Sequence, residues 1–158
     1  MHTFLSDLLH SPEVSGSGAG LWGLFLATFL AATILPFSSE AVLAAMAFGP
    51  WSSFTLLVVA SLGNWLGGLS TFGLGWLGNP VSIARWLRMD PAKAVRWQAM
   101  IQRRGAWLAL LCWVPVIGDP IALALGIYKA HPVRVAALML IGKAVRYAAV
   151  IAVLREVL

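Results

Sequence analysis

The chain has 158 residues, of which 60% are hydrophobic and only 11% are charged. Soluble domains usually carry about a quarter charged residues, so this composition excludes an ordinary soluble protein and predicts a membrane protein. The net charge of +5 lies on a mostly apolar chain, and it therefore favours anionic lipid over nucleic acid as a partner. The length suits one membrane domain, residues 1–158.

The chain begins with a short mixed segment and an interrupted apolar stretch. Residues 1–20 end in a run of Ser, Gly and Ala, and we predict a mobile leading segment. Residues 21–48 are apolar, but Pro36 removes a backbone donor and clashes with the preceding turn, which predicts two arms instead of one helix. Ser39 can cap the second arm, which we expect to run from about Glu40.

Each arm is too short to cross a membrane alone. About 10–15 residues per arm give roughly 15–22 Å, against the ~30 Å of the hydrocarbon layer. We therefore predict a re-entrant hairpin, which enters and leaves on one side. The long apolar run of residues 51–77 then predicts a full transmembrane span. The first repeat comprises residues 21–78.

Small residues mark this predicted span. Gly63, Gly67, Thr71 and Gly75 recur every fourth residue, which favours close packing against another helix. Asn64 adjoins this stripe and is the amide that we expect at membrane depth.

The only long polar stretch is residues 79–104. Asn79-Pro80 and Asp90-Pro91 each read as a helix cap followed by Pro at the first helical position. The stretch carries six Arg or Lys residues together with Trp86 and Trp97. Basic, Trp-bearing helices of this kind lie in the membrane interface. The positive-inside rule assigns them to the cytoplasmic side.

The second half, residues 105–158, repeats the first. Pro115 follows Pro36 by 79 residues, and Asp119 follows Glu40 by the same interval. We predict arms at 106–114 and 121–129, a break between them, and a last span at 133–155. Since a hairpin returns to its own side and the next span crosses, the two repeats are expected to be inverted. The predicted fold is an all-α polytopic membrane protein with two Pro-broken hairpins, each followed by a transmembrane helix, and interfacial helices between the halves.

Four ionisable residues fall at predicted membrane depth: Glu40, Asp119, Lys143 and Arg146. Such residues are costly there and usually mark a transport pathway. We predict that both hairpin tips meet at a polar cavity, where the two bases bind a phosphate. A carboxylate partly shielded from water can exchange protons near neutral pH, which would make the two acids proton-responsive.

Further residues complete the predicted cavity and its breaks. These are Pro36, Ser39, Asn64, Pro115 and Gly118. A structural alternative stays open, because an acid at the start of a half-helix also caps free N–H groups and meets the positive end of the helix dipole. In that case Lys143 and Arg146 only neutralise the acids.

Other site types find no support in the residues. The single Cys112 cannot form an internal disulfide, and we expect it to be buried as a small apolar residue. The three histidines lack metal-ligand spacing. No nucleophile–base pair or nucleotide-binding motif is visible, so we predict no metal, no cofactor and no enzymatic activity.

At this point the sequence resembles the DedA family (the VTT or SNARE-associated membrane domain), and within it the small YqaA-type branch. The resemblance covers residues 22–150 and rests on four ordered motifs. They are Leu35-Pro36-Phe37-Ser38-Ser39-Glu40, Gly63-Asn64-Trp65-Leu66-Gly67-Gly68, Trp113-Val114-Pro115-Val116-Ile117-Gly118-Asp119 and Gly142-Lys143-Ala144-Val145-Arg146-Tyr147. The resemblance implies two re-entrant hairpins, an inverted repeat, and flipping or scrambling of phospholipids or polyprenyl phosphates with proton coupling.

The chain departs from the better-known members of that family. They carry a further acid in the arm before the first break, where the corresponding residues here are Ala27, Thr28, Ala31, Ala32 and Thr33. They also carry arginines where Cys112 and Gly118 stand here. We expect Lys143 and Arg146 to supply the missing positive charge.

We therefore expect a multi-pass protein of the bacterial cytoplasmic membrane that translocates an anionic lipid headgroup, with protons and membrane lipids as partners. Two alternatives remain, a non-transporting membrane scaffold or assembly factor and a small-ion exchanger. A homo-oligomer is compatible with either the transporter or the alternatives.

Overall fold

The computed structural model describes residues 18–33, 39–78, 90, 96, 99–101, 103–114 and 117–157. Within these residues the chain is helical and has no strand, which confirms the all-α fold class for this part. The elements are α1 (Gly18–Ala31), α2 (Ser39–Ala47), α3 (Ser53–Leu77), a 3₁₀ helix η1 (Gly105–Trp113), α4 (Gly118–Ile127) and α5 (Pro132–Val157). Pro36, Pro115 and most of the basic stretch 79–104 lie outside the described residues.

Within the described part of the chain, two helices are long and apolar enough to cross a membrane. They are α3, over Ser53–Leu77, and α5, over Pro132–Glu156. The predicted spans 51–77 and 133–155 agree with them to within about two residues at each end. The other helices contain 14, 9, 9 and 10 residues, so each is shorter than the roughly 20 residues that a crossing needs.

Two helix starts differ from the predicted boundaries. Helix α1 begins at Gly18, before the predicted start of the apolar stretch at residue 21. Helix α4 begins at Gly118, so the second break is shorter than expected. Pro120 lies in the first turn, where a helix needs no N–H donor.

The two long helices run antiparallel. Near the start of α5, the Ala136 carbonyl accepts from Trp65 Nε1 in the middle of α3 at 2.8 Å. At the opposite end, Arg155 Nε donates to Ser53 Oγ at 2.9 Å. The start of α3 therefore lies beside the end of α5. The starts of α2 and α4, and those of α3 and α5, are each separated by 79 residues, which matches the interval in the sequence.

Side chains of α3 donate hydrogen bonds to backbone carbonyls at the C-terminal end of α1. The amide nitrogen of Asn64 donates to the Thr28 carbonyl at 3.1 Å, and Thr71 Oγ1 donates to the Ala32 carbonyl at 3.1 Å. Turn-type bonds within the chain satisfy two more carbonyls of this last turn. Helix ends leave their last carbonyls without partners inside the helix, so α3 provides what α1 lacks.

The small residues of α3 permit this close approach. A methyl group at Gly63 or Gly67 would overlap backbone atoms of α1. A methyl group at Gly75 would overlap the Leu123 carbonyl and lie 3.2 Å from the Gly126 Cα. The predicted packing stripe is confirmed, and it contacts α1 in its first part and α4 in its last part.

Large apolar side chains cover much of the outer surface. Exposed examples occur on α1, α3, η1 and α5 and include Trp22, Phe54, Leu77, Trp107 and Val145. Extensive exposed apolar surface marks a protein that faces lipid or a partner. The buried apolar residues form two clusters, one around each end of α3.

Two glycines of α3 give a matched test of this packing. Gly75→Ala should lower stability by about 1–3 kcal/mol, because its methyl group has to displace the α4 backbone. Gly73→Ala meets nothing within 4 Å and should raise stability by roughly 0.5–1 kcal/mol. Thermal unfolding of the purified protein in detergent measures both. Equal effects of the two substitutions would contradict the close contact between α3 and α4.

Candidate functional site

The four predicted ionisable residues gather around the middle of α5. Lys143 and Arg146 lie three residues apart on that helix, so they share a face. Glu40 lies in the first turn of α2, and Asp119 lies in the first turn of α4. Each acid therefore stands at the start of a short helix, where the helix dipole is positive. Their roles in transport stay predictions.

Arg146 forms an ion pair with Glu40. The Arg146 side chain is 14% exposed and the Glu40 side chain is 34% exposed, so the pair is only partly shielded from its surroundings. A guanidinium bonded to a carboxylate is among the stronger hydrogen-bonded pairs in proteins. The contact joins α2 to the middle of α5, as the predicted neutralisation of acids by bases requires.

Lys143 is 2% exposed and donates to the side-chain oxygen of Asn64. Asn64 is itself buried, and its side-chain nitrogen donates to the Thr28 carbonyl. These two hydrogen bonds connect α5, α3 and α1. Asn64 and Lys143 are also separated by 79 residues, so the two positions that correspond across the repeat contact each other.

Gly68 leaves the space that the buried lysine occupies. A methyl group there would lie 3.2 Å from Lys143 Nζ and 2.8 Å from Met139 Sδ. The absence of a side chain at Gly68 therefore allows α5 to lie close to α3 at this level.

Asp119 lies within electrostatic range of Lys143. These two described residues form no direct ion pair, in contrast to Glu40 and Arg146. Cys112 is a free, buried thiol in the same neighbourhood. Gly118 is buried too, and a methyl group there would overlap the Cys112 backbone, so the start of α4 is pressed against the end of η1.

Tyr147 is the site residue that the sequence did not single out. It is fully buried, and its hydroxyl is 2.9 Å from Ser39 Oγ at the start of α2. It also lies within electrostatic range of Asp119 at the start of α4. Its position four residues after Lys143 places both on one helix face, and this spacing could have indicated it.

The structure thus brings Ser39, Glu40, Asn64, Asp119, Lys143 and Arg146 into one region. The formal charges of its two acids and two bases cancel. Arg146 pairs with the acid at the start of α2, and Lys143 has the acid at the start of α4 within electrostatic range. Among the described residues, no three His, Cys, Asp or Glu side chains come together as a metal site would require.

Exchange of the two repeat-related residues tests their contact. Asn64→Lys places a second ammonium beside Lys143 and should cost about 3–5 kcal/mol, as an uncompensated buried charge does. Adding Lys143→Asn restores one ammonium and one amide, so the double variant should regain most of the loss. Thermal unfolding in detergent reports the cycle. A double variant no more stable than Asn64→Lys alone would show that these side chains do not share a contact.

Comparison with known proteins identifies relatives of this chain. It is 39% identical over 136 residues to the inner membrane protein YqaA of Escherichia coli, which covers 84% of this chain and 89% of the relative. The protein of the same name from Shigella flexneri matches equally. An uncharacterized protein of Haemophilus influenzae is 32% identical over 139 residues, with 81% and 83% of the two chains covered.

No protein-family model matches the chain, and no solved structure matches it significantly. The relatives match across most of their length and most of this chain. The chain therefore belongs to the DedA family of membrane proteins, in its YqaA-type branch.

Proposed function

We propose that this membrane protein translocates the headgroup of an anionic phospholipid or polyprenyl phosphate across the bilayer. The observation that carries the proposal is the position of Lys143 and Arg146, two shielded cations at the middle of a membrane-length helix. Ionisable residues at such depth usually face a pathway or a partner. Here each cation faces an acid at the start of a short helix.

The proposal includes a fold of two re-entrant hairpins related by an inverted repeat. The shortness of α1, α2, η1 and α4 supports the hairpins. The antiparallel course of α3 and α5, together with the constant interval of 79 residues, supports the inversion. Irregular backbone at membrane depth needs protein around it, and the bonds from Asn64 and Thr71 to the end of α1 fit that need.

Charge distribution supports an orientation with the basic end in the cytoplasm. Lys129 bonds to the Trp76 carbonyl near the end of α3, so the turn after α4 and the stretch that follows α3 share one end. Excess Lys and Arg at one side favours its cytoplasmic location. The names of the relatives support the bacterial inner membrane as the site of action.

Exchange of a carboxylate for a phosphate at these cations would couple lipid movement to proton binding. The planar fork of Arg146 binds a phosphate as well as it binds a carboxylate. Protonation of Glu40 removes its charge and releases the guanidinium. Asp119 acts on Lys143 only through its electrostatic field, so its protonation weakens the negative potential at the ammonium without breaking a direct bond. Because Lys143 is closed off from solvent, α2 or α4 has to move aside before a headgroup reaches it.

A scaffold without transport activity is the second candidate. It is favoured by the mutual bonding of the polar groups, since Arg146 pairs with Glu40, Lys143 with Asn64 and Tyr147 with Ser39. If these groups only hold the helices together, apolar replacement of all four charges should leave the function of the protein in its cell nearly unchanged.

Substitution of one arginine distinguishes these functions. Arg146→Ala should slow translocation of fluorescent phosphatidylglycerol in liposomes by about ten- to a hundredfold, the effect of losing one charge-assisted contact. Arg155→Ala is the matched control, because Arg155 is exposed near the end of the same helix. Unchanged translocation in a folded Arg146→Ala protein would contradict the proposal. Ion flux without lipid movement would indicate an ion exchanger instead.

Glu40→Gln tests the response to protons. In the wild-type protein, translocation should be faster at acidic pH, because a protonated Glu40 no longer holds Arg146. Glutamine imitates the protonated acid, so the variant should be fast at both acidic and alkaline pH. The same liposome assay at two pH values measures this. If Glu40→Gln keeps the full pH difference, Glu40 is not the responsive group.

A further inference from the structure

A cavity opens at the basic end of the protein, away from the central site. It has a volume of about 330 Å³ and lies between the segment that leads into η1 and the turn that joins α4 to α5. Its lining includes Ile101, Gly105, Ala106, Tyr128, His131 and Arg134. Small-molecule sites span roughly 300–1,000 Å³, so this volume suits a small ligand or one headgroup.

The polar side of the cavity consists of hydrogen-bond donors. Arg134 offers a planar fork of N–H groups, and His131 offers an imidazole N–H. Both Arg134 and His131 are exposed. The described residues that line the cavity include no carboxylate. A set of this composition fits an anion, and a phosphate group matches the arginine fork best.

The turn that carries these donors is held in place. Lys129 has a φ of 54°, which is uncommon for a residue other than glycine. Its ammonium bonds to the Trp76 carbonyl and lies 4.9 Å from the centre of the Trp76 indole ring. The Ala130 N–H bonds to the Leu125 carbonyl at 2.9 Å. Lys129 therefore fixes the backbone of the turn that precedes His131 and Arg134.

The other side of the cavity is apolar. Ile101 and Ala106 contribute to it, and the next residue, Trp107, is 70% exposed. Tryptophan favours the headgroup level of a membrane. A ligand with a phosphate beside a less polar part would satisfy both sides.

We propose that this cavity is a second anion site, which binds a phosphate group carried by a membrane lipid or by a soluble phosphate ester. It is separate from the central site, because Arg134 and Arg146 are twelve residues apart on α5, or about 18 Å along the helix. The inference does not depend on lipid translocation.

Calorimetric titration of the full chain in a nonionic detergent tests the site. The probes are short-chain phosphatidylglycerol, glycerol phosphate and short-chain phosphatidylcholine. Arg134→Gln and His131→Gln should each weaken phosphatidylglycerol binding, with a loss of about tenfold or more for Arg134→Gln. Arg103→Gln removes the same charge from an adjacent recess and should change binding by less than about twofold.

Each outcome decides the proposal. Binding of phosphatidylglycerol alone identifies a lipid site, and binding of glycerol phosphate as well shows that the phosphate group suffices. Equal binding of phosphatidylglycerol and phosphatidylcholine would overturn the proposal. So would equal losses in Arg134→Gln and Arg103→Gln, since these would indicate a diffuse basic surface. Unchanged unfolding temperatures show that the exposed substitutions leave the fold intact.

Discussion

A helix that ends among apolar groups has to find partners for its last carbonyls, and the arrangement of this protein depends on how α3 meets that requirement. Asn64 and Thr71 both bond to carbonyls at the end of α1. Asn64 uses its nitrogen for that purpose, which leaves its oxygen to accept from Lys143. One buried amide thus joins three helices and sets the position of the cation on α5.

Hydrogen-bond and charge partners also explain how the charges can be buried. A lone ammonium or guanidinium would be very costly in an apolar interior. Lys143 has a hydrogen-bond acceptor and a nearby acid, and Arg146 has a carboxylate. The acids in turn stand at helix starts, where backbone N–H groups favour negative charge. Helices α2 and α4 are therefore linked to α5 by electrostatic interactions as well as by apolar packing.

Much of this was accessible from the sequence because a period of 79 residues repeats both the helix starts and the acids. The interval located α3 and α5 and placed Glu40 and Asp119 at corresponding points. It could not reveal that Asn64 and Lys143 touch, because the level at which antiparallel helices cross depends on packing at Gly68. Tyr147 escaped notice since an aromatic residue in an apolar run has no distinctive pattern. The cavity at Arg134 joins distant segments, so no local motif indicates it.

The 3₁₀ form of η1 has a geometric consequence for the symmetry of the two halves. A 3₁₀ helix rises about 2.0 Å per residue and an α-helix about 1.5 Å. The nine residues of η1 therefore extend over roughly 18 Å, nearly the ~21 Å of the fourteen residues in α1. The larger rise per residue of η1 offsets its smaller number of residues. The two helices therefore have similar lengths, and η1 carries fewer side chains per unit length.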